Sequence, residues 1–281
     1  MTGERPPETG PSPATGPSPA TGPAGHLRDV PAADPADPPI VMVPGIDGTA
    51  LLFYRQTPLL ARRFDVVAFP LPTLADPTMA SLVADLADLI DEVSDDGAIL
   101  CGESFGGALA ISTALARPRS VRGLVIVNSF PYLDQRWRLH AAPRLLRRMP
   151  WGAMRLVRRF TGSRLHSAHT LPEDLREFDE RAAMIDRDGY IERLEILRRF
   201  DVRDRLADIA APCLFLAGDA DRLVASVRWA RYMHERVAGS EMAILEGYGH
   251  VCLINHDLDL ADHIVPWWER ARRPDPSPPT G

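Results

Sequence analysis

Short apolar runs alternate along this chain with longer stretches in which apolar residues recur every three or four positions. The short runs predict buried β-strands at residues 40–43, 64–69, 98–101, 121–129, 212–217 and 241–245. The longer stretches predict helices at 49–62, at 78–94 and from the turn after residue 103 to about 117. Strands that alternate with helices in this way predict an α/β fold with a doubly wound, mostly parallel sheet.

The alternation stops after Phe130 and resumes near residue 211. The interval contains only helical patterns, interrupted by prolines and a glycine, so it predicts a helical lid inserted at 131–210 into a core made of residues 40–130 and 211–273. The flanking segments 1–39 and 274–281 are rich in Pro, Gly and Ala, and TGPSPA occurs at 9–14 and again at 15–20. That composition predicts disordered tails.

Composition excludes several classes of function. Every basic side chain is arginine, so a P-loop, which needs a lysine, is excluded. A net charge of −6 argues against nucleic acid as a partner. Cys101, Cys213 and Cys252 are isolated in apolar runs, which favours buried thiols in a reducing compartment. No basic segment followed by an apolar one resembles a signal peptide, and we therefore expect a cytoplasmic protein.

Residues 102–106, GESFG, match the pattern G-x-S-x-G between a predicted strand and a predicted helix. In a nucleophile elbow, the glycines allow a strained turn that exposes the hydroxyl of the central serine, here Ser104. The Phe105 amide then lies at a helix N-terminus, where developing negative charge is stabilised. The alternative is a glycine-rich turn that only packs a helix on the sheet.

The first predicted strand leads into Pro44-Gly45-Ile46-Asp47-Gly48-Thr49. In a serine hydrolase, a glycine-bearing loop at this point supplies the second amide of the oxyanion hole, and we expect the Ile46 amide to do so. Pro-Gly and Asp-Gly are also common in plain turns, so a purely structural role remains an alternative.

Two later loops carry candidate partners for Ser104. Asp221 follows the predicted strand 212–217, where a carboxylate would orient a catalytic histidine, and His250 follows the last predicted strand. Asp219 is the alternative acid or the residue that holds the turn, and either aspartate fits an Asx turn before a helix beginning near residue 223. The other histidines carry weaker predictions: His256 and His263 are expected in the terminal helix, and His166 and His169 lack the further ligands of a metal site.

The first part of the lid is strongly basic. Its arginines are Arg136, Arg138, Arg144, Arg147, Arg148, Arg155, Arg158, Arg159 and Arg164, opposed within that segment only by Asp134. This surface would suit an anionic substrate, an acidic carrier protein or a membrane surface. Amphipathic helices that keep arginine in water while packing an apolar stripe explain the same composition.

Ser104, Asp221 and His250 occur in the chain order of the α/β-hydrolase superfamily, which the chain resembles from residue 40 to about 273. The resemblance implies a lidded core without the first antiparallel edge strands, and a Ser-His-Asp serine hydrolase that forms an acyl-enzyme. It implies Ile46 and Phe105 as oxyanion donors, a small acyl ester or thioester as substrate, and no cofactor or metal.

Residues 44–52 and 102–107 look like those of phytyl-ester-synthase-like acyltransferases and esterases. The basic lid is similar to that of carboxylesterases acting on acyl carrier protein. Pro44 stands where the superfamily often has histidine. Carboxylic ester hydrolysis is therefore the expected activity, with acyl transfer or thioester hydrolysis and a non-catalytic ligand-binding protein as alternatives.

Overall fold

The computed structural model describes residues 37–73, 77–134, 136–153 and 165–273. Six strands form one sheet in the order β2-β1-β3-β4-β5-β6, and all neighbouring pairs are parallel. The strands are β1 Ile40–Val43, β2 Val66–Ala68, β3 Ala98–Glu103, β4 Val121–Val127, β5 Cys213–Gly218 and β6 Glu241–Leu245. The predicted doubly wound α/β fold is confirmed. The edge strands expected to be missing would precede β1, and residues 1–36 lie outside the described part.

Helices cover both faces of the sheet. The described α-helices are α1 Gln56–Leu60, α2 Met79–Val93, α3 Phe105–Ala116, α4 Arg136–Arg148, α5 Pro172–Ala182, α6 Arg187–Arg199, α7 Ser226–His234 and α8 Ala261–Ala271. Alternate residues of each strand face opposite layers. In β1, Val41 and Val43 pack with α2 and α3, whereas Ile40 and Met42 pack with α1 and α8. Because both faces are buried, the strands are largely apolar rather than alternating, with exceptions such as the exposed Arg122 of β4 and Glu241 of the edge strand β6.

Some element boundaries differ from the sequence prediction because tertiary contacts set them. The predicted helix 49–62 is a 3₁₀ turn, Leu51–Phe53, followed by the short α1. Ala50 has a left-handed backbone with φ 59°, and the buried Gln56 side chain bonds backbone groups of Leu253, Leu258 and Leu260. These contacts hold α1 against the C-terminal part of the chain, so α1 does not continue the preceding 3₁₀ turn as one helix.

The three described residues before β1 belong to the core. Asp37 is buried, accepts a hydrogen bond from Trp268 Nε1 at 3.0 Å and pairs with Arg63 and Arg272, each at 2.7 Å. The predicted tail 1–39 therefore ends at residue 36 at the latest, since the hydrogen bond from Trp268 and the two ion pairs of the buried Asp37 carboxylate fix the chain there. Residues 1–36 and the predicted tail 274–281 lie outside the described residues.

The segment between β4 and β5, residues 131–210, is called the insertion below. Its described residues form α4, α5, α6 and the 3₁₀ helices Trp151–Ala153 and Arg203–Asp208, and its described β-pairing is a single bridge between Tyr132 and Asp201. The insertion contacts the core through an ion pair of 2.5 Å between Asp174 and Arg55 and through apolar packing of Phe178 near Ile254. No helix in the described part of the chain is both long and apolar enough to cross a membrane.

Candidate active site

Ser104 lies at the sharp turn between β3 and α3. Its backbone angles, φ 54° and ψ −114°, are unusual for a residue with a side chain, and the strain is held by close packing on both sides. A Cβ on Gly106 would collide with the carbonyls of Val43 and Pro44, and one on Gly102 would collide with the Gly106 carbonyl. The two glycines of the motif are therefore required by close approach of the backbone, as in a nucleophile elbow.

The structure brings Ser104, His250 and Asp221 into one hydrogen-bonded chain. The Ser104 Oγ lies 3.0 Å from His250 Nε2, and His250 Nδ1 lies 2.7 Å from Asp221 Oδ2. Ser104 follows β3, Asp221 follows β5 and His250 follows β6, and the carboxyl ends of these strands lie at the same edge of the parallel sheet. Both distances lie within the range in which an imidazole can accept the serine proton while a carboxylate orients it.

Asp221 and Asp219 have separate roles in the loop after β5. Asp221 Oδ1 accepts the amides of Leu223 and Val224, and Ser226 Oγ donates to Oδ2 at 2.5 Å. These bonds delay the start of α7 to residue 226, three residues later than predicted, because the Asx turn uses the intervening amides. Asp219 accepts the Gly247 amide at 2.6 Å and so holds the turn that precedes His250.

Asn128 holds the loops of the site together, and the sequence reasoning missed it. It follows β4, is fully buried and has φ 47°. Its Nδ2 donates to the carbonyls of Gly249 and His250 at 3.0 and 2.9 Å, and its Oδ1 accepts the Gly218 amide at 2.7 Å. The sequence did contain a signal for Asn128: it is a polar residue directly after an apolar strand, and the other site residues also follow strands at that edge of the sheet.

The two amides expected to bind an oxyanion, those of Ile46 and Phe105, come from the loop after β1 and from the start of α3. Phe105 is the first residue of α3, so its amide has no acceptor within the helix. The Ile46 amide lies in the turn closed by a 3.1 Å hydrogen bond from Gly48 N to Gly45 O, and no described residue accepts a hydrogen bond from it. Asp47 Oδ2 accepts the amide and hydroxyl of Thr49, at 3.0 and 2.8 Å, which closes the other side of the loop.

A cavity of about 310 Å³ opens onto Ser104 and His250. Its walls are mainly apolar and come from both the core and the insertion, with Phe130, Leu133, Phe178, Leu194, Leu197 and Val224 among them. Because a space of this kind binds an apolar group next to a few polar ones, it fits a small organic ligand whose reacting group reaches Ser104.

The electrostatics of the site favour a charged His250. Burial lowers the pKa of the His250 imidazole, but the hydrogen bond to Asp221 and the charges of Asp221 and Glu103 outweigh it, so the pKa is raised. Burial raises the pKa of Asp221, but its bonds to His250, Ser226 and the Val224 amide outweigh that effect and the pKa is lowered. The pair thus stabilises the cation that forms when His250 accepts a proton.

Glu103, the residue before Ser104, also borders the cavity and was not predicted as a site residue. Burial raises the pKa of its carboxyl to about 7, with Asp47 and Asp221 adding to the effect and His250 and the Gly45 amide opposing it. Its position inside the serine motif was the signal that it would face the site. A carboxyl group that titrates near neutral pH therefore lies beside the imidazole.

The other histidines named in the sequence analysis have contacts outside the chain of Ser104, His250 and Asp221. His263 is in α8, whereas His256 precedes that helix, in contrast to the prediction, and lies 3.8 Å from Asp174. His169 Nδ1 lies 2.7 Å from Asp257, and its ring stacks on Tyr248. Burial lowers the pKa of His166 to about 4. Within the described residues, no cluster of three or more His, Cys, Asp or Glu side chains is arranged to hold a metal ion.

The basic surface is partly neutralised by residues outside its own segment. Arg144, Arg147 and Arg148 are exposed on α4, and Arg147 pairs with Glu195 of α6 at 3.3 Å. Leu145, between them, is 65% exposed. The predicted arginines at 155, 158, 159 and 164 lie outside the described residues, as do the side chains at 136 and 138. The sequence-local charge count missed Glu195 because it lies on another helix.

Comparison with known proteins identifies the family of the chain. A sequence model of the alpha/beta hydrolase family matches residues 40–263. RutD of Klebsiella pneumoniae, named as a candidate carbamate hydrolase, is 25% identical over 267 residues, covering 85% of this chain and 94% of that protein. The pimeloyl-[acyl-carrier protein] methyl ester esterase of Nitrosospira multiformis is 26% identical over 191 residues, covering 64% and 72%.

Two further matches concern a longer protein and a solved structure. The polyketide synthase ThaQ of Burkholderia thailandensis is 27% identical over 234 residues; the match covers 78% of this chain but 11% of the synthase. The crystal structure of a thermophilic esterase from Thermogutta terrifontis superposes with a TM-score of 0.71 at 21% identity, covering 84% of this chain and 90% of that one, which shows the shared fold. The chain from residue 40 to 263 thus combines the sheet, the elbow and the sequence pattern of one family, and the protein belongs to the alpha/beta hydrolases.

Proposed function

We propose that the protein is a serine hydrolase that cleaves a carboxylic ester through an acyl-enzyme on Ser104. The observation that carries the proposal is the continuous hydrogen-bonded chain from Ser104 Oγ through His250 to Asp221 at 3.0 and 2.7 Å. The cavity in front of Ser104 and the esterases among the relatives support it. Asp221, Asn128 and Ser129 hold the reacting side chains in place, Ser129 by donating to the Ser104 carbonyl at 2.6 Å.

The reaction proceeds in two acyl-transfer steps. His250 Nε2 takes the proton of Ser104 as Oγ attacks the ester carbonyl, and the amides of Ile46 and Phe105 bind the resulting oxyanion. The C–O bond to the alcohol breaks, and His250 returns the proton to the departing oxygen. His250 then takes a proton from water as the water attacks the acyl-enzyme, and Ser104 recovers its proton when the acid leaves.

The cavity limits the substrate to a compact, apolar group beside the ester. Its volume of about 310 Å³ lies at the lower end of the range of small-molecule sites. Aromatic and aliphatic walls favour an aliphatic or aromatic acyl or alcohol portion over a charged one. We therefore expect turnover of p-nitrophenyl esters to rise with acyl length and then to fall when the chain exceeds the cavity.

The test is covalent labelling of Ser104 followed by an ester-length series. A fluorophosphonate probe should label the wild-type protein, and mass spectrometry should place the adduct on Ser104. Ser104→Ala should lose labelling and ester turnover, by a factor on the order of 10⁶ in kcat, while its melting temperature stays close to that of the wild type. Ser112→Ala, in the helix α3 that follows Ser104, is the matched control, since the Ser112 hydroxyl donates to the Ala108 carbonyl. Turnover that persists in Ser104→Ala would contradict the proposal, and an inactive, unlabelled wild type would favour the ligand-binding alternative.

Thioester hydrolysis or acyl transfer by the same three side chains is the second candidate. A relative named as acting on an acyl-carrier-protein ester and the exposed arginines of α4 favour it, because a carrier protein with an acidic surface would complement those arginines. Hydrolysis of an acyl group on an acidic carrier faster than of the same acyl group on coenzyme A would support this candidate. Acceleration by anionic vesicles instead would indicate a membrane surface as the partner. Formation of a new ester from acyl-coenzyme A and a long-chain alcohol would identify a transferase.

A further inference from the structure

Arg193 is a buried cation of the insertion that contacts the loop expected to bind the oxyanion. It lies on α6 and is 4% exposed. Its Nε donates to the Ile46 carbonyl at 2.9 Å, and its Nη2 donates to the Asp47 carbonyl at 3.2 Å. No ion pair joins Arg193 to a carboxylate among the described residues, so the guanidinium is committed to two backbone carbonyls of this loop.

We propose that Arg193 is a positioning residue that holds the Ile46 amide toward Ser104. The geometry of the oxyanion hole then depends on the position of α6 relative to the loop after β1. The proposal rests on the serine hydrolase function proposed above. It adds a residue of the insertion to a reaction whose other participants all come from the core.

The space around the guanidinium is shaped for it by two glycines. A Cβ on Gly48, whose φ is 73°, would lie 2.6 Å from Arg193 Cζ, and a Cβ on Gly189 would lie 2.9 Å from Nη1. Both are shorter than ordinary carbon contacts, so a side chain at either position would displace the guanidinium. Gly189 lies one turn before Arg193 on α6, and Gly48 lies in the loop itself. The fit therefore involves both of the elements that Arg193 joins.

The expected oxyanion donor lies between two peptide groups that are each held. On one side, the Gly45 amide donates to the buried Glu103 carboxyl. On the other, the Ile46 carbonyl accepts from Arg193. The Ile46 N–H belongs to the peptide between these groups, and the carbonyl of that peptide, Gly45 O, accepts the Gly48 amide at 3.1 Å. Removing Arg193 takes away the two hydrogen bonds that the loop receives from α6, so the peptide that follows the Ile46 N–H is held less firmly.

The same helix also forms a wall of the cavity. Leu194 and Leu197 line it next to Arg193 in the sequence. A displacement of α6 would therefore widen the cavity and release the loop together. Burial lowers the pKa of Arg193, with Asp47, Asp186 and Glu192 acting in the opposite direction, and the group stays charged throughout the range of ordinary assays. The coupling is accordingly expected to be independent of pH.

The test compares Arg193→Met with Arg187→Met. Arg187 is six residues earlier on α6 and also donates to two backbone carbonyls, those of Leu146 and Arg147 at 2.8 and 2.6 Å, with no hydrogen bond to the loop. Active sites are titrated with the fluorophosphonate probe, and kcat is expressed per labelled site. Melting temperatures are measured for all variants.

Loss of one oxyanion donor costs about 10²–10³ in kcat, so Arg193→Met should lower kcat per labelled site by up to this factor with little change in KM. The rate of labelling should fall in parallel, because the phosphoryl oxygen of the probe occupies the same hole. Arg193→Lys, which keeps one charged donor, should recover part of both rates, and Arg187→Met should stay near the wild-type kcat. A merely structural role would lower the melting temperature and the labelled fraction but leave kcat per site unchanged.

Equal kcat per site in Arg193→Met and Arg187→Met would overturn the proposal and leave the serine hydrolase function standing. If Arg193→Met does not fold, Arg193→Lys decides: a reduced kcat at an unchanged melting temperature supports the proposal, and a wild-type kcat overturns it. A wild type that is neither labelled nor active overturns both proposals together.

Discussion

The loops at the carboxyl edge of the sheet and the helices of the insertion hold their side chains in different ways. Ser104, Asp221 and His250 are fixed by backbone amides, a strained turn and the buried Asn128, all within a few residues of strand ends. The insertion presents apolar side chains to the cavity and one buried guanidinium to the loop after β1. It contacts the core through side-chain pairs such as Arg55 with Asp174.

This difference separates two aspects of the proposed function. Changes at the sheet edge should act on the rate of the chemical steps, because those residues define the proton path. Changes on the insertion should act on which substrates are accepted, except at Arg193, where the two regions meet. Three variants test this division, and they are ordered from the largest expected effect to the smallest.

Asp221→Asn should give the largest effect, a fall in kcat of about 10⁴ with little change in KM, because an amide no longer holds His250 in the tautomer that accepts the serine proton. The matched control is Asp219→Asn, two residues earlier, where the side chain only accepts the Gly247 amide. Steady-state kinetics on one short ester measure both. A wild-type kcat in Asp221→Asn, or equal losses in the two variants, would contradict the assignment of Asp221.

Ala142→Phe should have an intermediate effect that depends on substrate length. Ala142 of α4 lines the cavity, so a phenyl ring there removes space that a longer acyl chain needs. Since a methylene misfit in an apolar pocket costs about 10- to 200-fold in kcat/KM, long esters should lose that much while acetyl esters change little. Ala141→Phe, at the adjacent exposed position, is the control. A uniform loss for all ester lengths would indicate damage to the core instead of a narrower cavity.

Glu103→Gln should give the smallest effect, a shift in the pH profile of kcat/KM. A negative Glu103 favours protonated His250, so removing the charge should lower the pKa of the imidazole. His250 then remains neutral, and able to accept a proton, at lower pH, and the acidic limb of the profile moves to lower pH. Because the carboxyl titrates at about 7, the wild-type limb reports two coupled groups and the variant limb one. The exposed Glu246→Gln should leave the profile unchanged, and a shift of the Glu103→Gln limb to higher pH would disprove this interaction.

The pattern of apolar and polar residues was sufficient to predict the strands, the helix α2 and the turn at Ser104. The apolar runs located the strands within about two residues, and the helical periodicity from Met79 to Val93 located α2, because burial on a sheet or a helix face imposes a repeat on the sequence. The glycines around Ser104 predicted a sharp turn, since only glycine permits the backbone contacts that the turn makes. Two helix boundaries could not be predicted. The division of the predicted helix 49–62 depends on hydrogen bonds from Gln56 to residues distant in sequence. The late start of α7 depends on the hydrogen bonds that the Asp221 side chain accepts.

The amino-acid sequence by itself determined the alternation of strands and helices, the position of the elbow, and Ser104 and His250 as two of the side chains that meet there. Only the tertiary structure decided that Asp221 rather than Asp219 contacts His250, that Asn128 joins the loops after β5 and β6, and that Glu103 and Arg193 hold the loop after β1. The physical reason is that periodicity and turn chemistry are encoded by neighbours in the chain. The partners of buried polar groups are instead chosen by the packing of elements that lie, as Arg193 and Ile46 do, far apart in sequence.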